Sequence, residues 1–170
     1  MKAIVYTSNT GSTACYAKML GQETDLPVYS AEEAKKQLPD HSEIVYLGWI
    51  MAGSIKGYKA ASKHYRILAV CGVGMSRSEK QEADIRKREA IPADIPVFNL
   101  QGDYDTQKLH GIYKGMMKMM EKMVGKKIAA KTDRTSEEDE MLDMLLHGSK
   151  RVSMENLKDV LEWYDSTIQK

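Results

Sequence analysis

The sequence predicts an α/β fold, a parallel sheet covered by helices on both faces. Three observations carry that prediction. Short apolar runs alternate with helical patterns along most of the chain, which is the mark of repeated βαβ units. Each run is brief enough to be a buried strand rather than a helix. Capping residues, glycines and prolines punctuate the intervals between them. A length of 170 residues with 42% hydrophobic and 29% charged side chains suits one core-bearing domain over residues 1–170.

Ala3-Ile4-Val5-Tyr6 forms the first strand, followed by a glycine-containing turn and a helix from Ser12 to about Leu20. Pro27-Val28-Tyr29 is the second strand. Ser30 and Glu33 have the spacing of a capping box, so a short helix runs through Ala34 towards Leu38 and stops at Pro39. Ile44-Val45-Tyr46-Leu47 is the third strand, Tyr58 to His64 the crossover helix, and Arg66-Ile67-Leu68-Ala69-Val70-Cys71 the fourth strand. Ser76 and Glu79 cap a charged helix ending near Arg88, and Pro92 and Pro96 frame the entry to a fifth strand, Val97-Phe98-Asn99-Leu100.

From Thr106 to Val124, the positions Leu109, Ile112, Tyr113, Met116, Met117, Met119, Met120 and Met123 recur at helical spacing. Residues 125–140 read as an exposed, charged loop within a loop region of about 125–150, with a short helix around Met141 to Leu146 stopped by Gly148. A last helix follows Ser153, with Leu157, Val160, Leu161 and Tyr164 on one face.

Composition excludes several classes. A net charge of +1 gives no overall reason to expect nucleic acid. The two cysteines, Cys15 and Cys71, form no C-x-x-C pair, and His41, His64, His110 and His147 share no metal-ligand spacing. Neither a disulfide framework nor a metal centre is expected, and a reducing cytoplasm fits best. Residues 1–6 enter a strand at once, without a secretory leader, and no run approaches the roughly 20 apolar residues of a transmembrane helix.

The most informative segment is Ser8-Asn9-Thr10-Gly11-Ser12-Thr13, between the first strand and the first helix. A phosphate needs many donors and little bulk. Four hydroxyls supply donors here, the backbone N–H groups of a helix start add more, and Gly11 permits close approach. The same residue types also make ordinary caps and turns. Their place at the carboxyl end of the first strand, where open α/β sheets bind ligands, favours the phosphate reading. The lysine of a P-loop and the G-x-G-x-x-G dinucleotide fingerprint are both missing.

Position for position, these six residues resemble the [T/S]-x-T-G-x-T phosphate loop of the flavodoxin family. The resemblance implies a three-layer sandwich whose five parallel strands run in the order 2-1-3-4-5, with FMN held at the switch between the first and third strands. It further implies that the loop after the third strand, Gly48-Trp49-Ile50-Met51-Ala52-Gly53-Ser54, flanks the flavin ring. Trp49 or Met51 would then offer a flat or broad apolar face; the alternative is that Trp49 packs in the core. Cys71-Gly72-Val73-Gly74-Met75 would run beside the ring, its small residues admitting the backbone. No aromatic residue lies between Cys71 and Arg77 to sandwich the flavin as flavodoxins commonly do, and Tyr104 is another candidate contributor.

The resemblance implies an electron-transferring flavoprotein with no catalytic side chain, the redox chemistry being the flavin's. Its partner would be a redox protein or a small-molecule acceptor such as a quinone. The near-neutral charge departs from acidic flavodoxin shuttles, and the lysine- and methionine-rich stretch 114–123 leaves room for contact with a membrane surface. Gly53-Ser54-Ile55-Lys56-Gly57-Tyr58 and the Met-Lys helix are also similar to menaquinone-dependent protoporphyrinogen oxidase-type flavodoxin domains. That similarity makes an oxidoreductase acting on a quinone or tetrapyrrole an alternative, with a flavin-free binding module as a third.

Overall fold

A computed structural model of the chain describes residues 1–75, 79–105, 108 and 111–168. The expected cap at Ser76, the helix start at Thr106, Leu109 and His110 lie outside the described residues. The backbone gathers into two compact units: Met1–Gly102 with Val152–Lys170, and Asp103–Arg151.

The first unit is built on a parallel sheet of β1 (Ala3–Thr7), β2 (Val28–Ser30), β3 (Glu43–Met51), β5 (Arg66–Gly74) and β6 (Val97–Gln101), in the order β2-β1-β3-β5-β6. This is the expected strand order. One short strand was not anticipated: β4 (Ser54–Ile55) turns back to pair antiparallel with the end of β3. In β5, Leu68 has no counterpart on β3, since Ile44 faces Ile67 while Val45 faces Ala69.

Side chains of successive strand residues go to opposite faces, so the sheet buries two cores. On one face α2 (Ala31–Gln37), α3 (Tyr58–His64) and α4 (Glu79–Glu89) cover Val5, Ile44, Tyr46, Ile67, Val70 and Val97. On the other, α1 (Ser12–Thr24), a 3-10 turn at Met154–Leu157 and α7 (Lys158–Ile168) cover Ile4, Val45, Leu47, Cys71, Val73 and Leu100. α2 carries the expected capping box, with Ser30 Oγ accepting from Glu33 N and the Glu33 carboxylate accepting from Ser30 N. Hydrogen bonding of the Glu33 carboxyl to Ser30, through its side chain first and then its backbone N–H, holds that carboxyl below its ordinary value.

In the second unit, α5 (Gly111–Ala129) and α6 (Ser136–His147) form a helical hairpin. This corrects the expectation of a charged loop across residues 125–140. Helix α5 passes through Gly125, and α6 begins at its own capping box, where Thr135 Oγ1 accepts from Glu138 N and Glu138 Oε2 accepts from Thr135 N. Only residues 130–135 connect the two helices.

Candidate functional site

Residues 8–13 leave the carboxyl end of β1 and open α1, as the sequence predicts. Gly11 is the N-cap of α1 at φ 102°, with no side chain capping the helix. The first N–H groups of an α-helix have no acceptor within it, and the helix dipole adds partial positive charge there, so an uncapped start is suited to an anion. A side chain at Gly11 would meet nothing within 4 Å, so the space above it is open. Gly11 N donates to Ser8 Oγ (3.2 Å), which folds the loop back on itself. Asn9 Nδ2 is buried and, among the described residues, finds no acceptor. Such an orphaned donor is costly unless something accepts its hydrogen bond. Ser8 and Thr10 are half-buried, while Ser12 and Thr13 are drawn inside. Ser12 lies against Gly102 at the end of β6, where an added Cβ would stand 3.3 Å from the serine's own Cβ.

The expected loop after β3 is a strand and a hairpin instead. Gly48 and Trp49 pair with Gly72 and Val73 on β5; Ile50 and Met51 pair with Ile55 and Ser54. Ala52 (φ 50°) and Gly53 (φ 74°) make the turn, both with the positive φ of a type I′ hairpin. The expected loop at residues 71–75 is likewise mostly strand, since Cys71 through Gly74 belong to β5 and pair with Phe98 through Gln101 of β6. Glycine here answers close packing rather than a turn. The Ile50 side chain lies across Gly72 and Gly74, whose added Cβ atoms would come within 2.9 and 3.1 Å of its Cδ1. Cys71 is fully buried, which pushes its thiol up to about 12.

The hairpin is held from several sides. Tyr46 Oη donates to Lys56 O (2.7 Å) and accepts from Thr7 Oγ1 (2.8 Å), tying the end of β1 to the segment after β4. Burial pushes the Tyr46 hydroxyl up to about 12. Gly57 has φ 84°, and a Cβ there would collide with the Tyr46 hydroxyl and stand 2.5 Å from Thr7 Oγ1. Arg88 of α4 donates to Ala52 O (2.7 Å), and buried Glu89 accepts from Ile55 N (3.2 Å). None of Thr7, Tyr46, Arg88 and Glu89 was singled out from sequence; the Gly48–Gly57 pair flanking the hairpin was the available signal.

Trp49 is half-buried at the carboxyl end of β3, with Lys56 Nζ 5.9 Å from its ring centroid, a cation–π contact. Tyr104 belongs to the second unit, where its hydroxyl donates to Glu121 Oε1 (2.6 Å) and its main chain bridges to Ser149. Burial, then the Glu121 bond and charge, raise its pKa well above the ordinary tyrosine value. A cavity of about 510 Å3, lined by Tyr58, Tyr65, Arg66, Glu89, Pro92 and Ile95, lies beside the amino ends of β5 and β6, at the opposite edge from residues 8–13. Among the described residues no cluster of three or more His, Cys, Asp and Glu could hold a metal, and no helix is long and apolar enough to cross a membrane.

A family model described as a flavodoxin domain matches residues 3–131. No curated protein and no solved structure gives a significant match.

Proposed function

Because the chain belongs to the flavodoxin domain family, we propose that it binds FMN non-covalently at the carboxyl edge of its sheet and transfers electrons through the flavin. The observation that carries this reading is the start of α1: an uncapped helix N-terminus, open space above Gly11 and the orphaned Asn9 amide, all within one short loop. Ser8, Thr10, Ser12 and Thr13 would add hydroxyl donors to a dianionic phosphate, each such bond to a charged group contributing roughly 1.5–3 kcal/mol. Trp49, Ile50 and Met51, displayed on a strand and pinned by the hairpin, would give the ring a fixed apolar surface beside Gly72, Val73 and Gly74. When bound, the flavin supplies the electron chemistry, and the protein's part is to position it and to set the charge around it. Lys56, over the Trp49 ring, and Arg88, bonded to Ala52 O, are cations beside that surface.

Titration of the purified chain with FMN and, separately, with riboflavin tests the reading. FMN is expected to be quenched and to raise the melting temperature, and riboflavin, lacking the phosphate, to bind far more weakly. Equal failure of both ligands overturns it in favour of a flavin-free module.

A second reading, an oxidoreductase whose acceptor is a quinone or tetrapyrrole, is favoured by the net charge of +1, which supplies no strongly acidic overall balance to steer a basic redox protein. Rapid re-oxidation of the reduced flavoprotein by a quinone in the absence of any protein acceptor would support this reading over a carrier.

A further inference from the structure

Helix α5 has two apolar faces, and only one of them is covered. Tyr113, Met117, Met120 and Val124 are half-buried and Ile128 is buried. Ile112, Met116, Met119 and Met123, spaced four, three and four residues apart, form a second stripe that stands in water, 74%, 47%, 62% and 63% exposed. Exposed lysines flank it: Lys118, Lys122 and Lys126 along one side, Lys127 on the other. The helix contains a single acid, Glu121, which is half-buried and engaged by Tyr104.

Helix α6 differs in a telling way. Glu138 pairs with Lys131, Asp139 with Arg134 (2.6 Å), Glu140 with Arg151 (3.8 Å) and Asp143 with the His147 ring (2.8 Å). Among the described residues, none of the five lysines of α5 has an acidic partner. Four acids of α6 thus have basic partners outside α5, and the lysines of α5 are left for something else.

We propose that the exposed face of α5 docks on an anionic lipid bilayer, lying flat with Ile112, Met116, Met119 and Met123 in the acyl boundary and its lysines among the headgroups. An interfacial helix has this arrangement, an apolar stripe edged by basic side chains whose stems reach back to the polar layer. The 19 residues of α5 would extend about 28 Å along the surface. A protein partner is disfavoured because that face carries no tryptophan, tyrosine or arginine anchor. A second copy would oppose lysine to lysine. The inference does not depend on flavin binding.

The test is co-sedimentation of the full chain with vesicles of equimolar phosphatidylcholine and phosphatidylglycerol, against vesicles of phosphatidylcholine alone. Binding is expected on the anionic vesicles only, weakening as salt is added. The combined variant Lys118→Glu, Lys122→Glu, Lys126→Glu should lose about 100-fold or more in partitioning, because each lysine near such a surface is worth roughly fivefold. Met119→Gln with Met123→Gln should also weaken binding, with an unchanged unfolding midpoint showing that the hairpin still folds. Equal partitioning on neutral and anionic vesicles, no binding to either, or undiminished binding by the charge-reversed variant each overturns the proposal. So does a concentration-dependent dimer, seen by light scattering, that the methionine substitutions abolish, since that would make a second copy the occupant.

Discussion

Residues 8–13 and residues 50–55 stand at the same edge of the sheet and are built in opposite ways. The first loop leaves polar groups unmatched among the described residues: no side chain caps the start of α1, and Asn9 Nδ2 is buried without an acceptor. The hairpin is over-determined, its turn carbonyl taken by Arg88, its Ile55 N–H by Glu89, and the chain after it by Tyr46. A binding edge divides its labour this way. Under the proposed function, one segment would keep donors in reserve for the phosphate while its neighbour, held on several sides, would keep a surface in place.

The largest blow to that contrast is Gly57→Val. It forces a β-branched residue into φ 84° and drives its side chain into Tyr46 and Thr7. A loss of roughly 2–4 kcal/mol is expected in urea unfolding. The converse substitution set, Thr10→Val with Ser12→Ala, should cost about 100-fold in FMN affinity while changing unfolding far less. If those two variants moved stability and affinity together, the division between reserve and scaffold would be wrong.

Alkaline titration sharpens the picture. Tyr46 and Cys71 are neutral in the folded protein, and both are raised to about 12 by burial. The unfolded chain ionises them at lower pH, so their contribution is complete below about pH 9 for the thiol and pH 10 for the phenol, and is lost as pH climbs towards 12. Stability should fall over that window by on the order of 1.4 kcal/mol per pH unit for each group. Tyr46→Phe should lessen the slope above pH 10, which the raised Tyr104 shares, and Cys71→Ala should remove the part that starts near pH 9.

Arg88→Ala, which frees the Ala52 carbonyl, should cost about 1 kcal/mol in urea unfolding. The smallest effect runs the other way. Ala52 holds φ 50° without being glycine, so Ala52→Asn should stabilise the chain by up to about 1 kcal/mol.

The two segments were also unequally legible in the sequence. Phosphate chemistry makes local demands, and Ser8-Asn9-Thr10-Gly11-Ser12-Thr13 states them in consecutive residues. The hairpin's reasons are distant. Its turn is Ala-Gly rather than the Asn-Gly that announces a type I′ turn, and Gly48, Gly72 and Gly74 read as loop markers. What selects glycine at those positions is Ile55, Lys56 and Ile50 pressing on the backbone, which only the fold brings there. The first turns of helix α6, ahead of the expected stretch Met141 to Leu146, were hidden for another reason. The Thr135–Glu138 cap was present, but the acidic run behind it read as solvated loop.

Leu68 carries a consequence of its own. Because it is unmatched on β3, Ile67 and Val70 reach the same core although they stand three positions apart, and Ala69 and Cys71 both reach the other. A strand with its alternation reset midway has two halves in different phase. Deleting Leu68 would bring the halves into step with every side chain kept on its own face, Ile67, Ala69, Val70 and Cys71 falling in unbroken register opposite Ile44, Val45, Tyr46 and Leu47, so the central strand should accept a one-residue deletion here that would invert half of it at a regularly paired stretch.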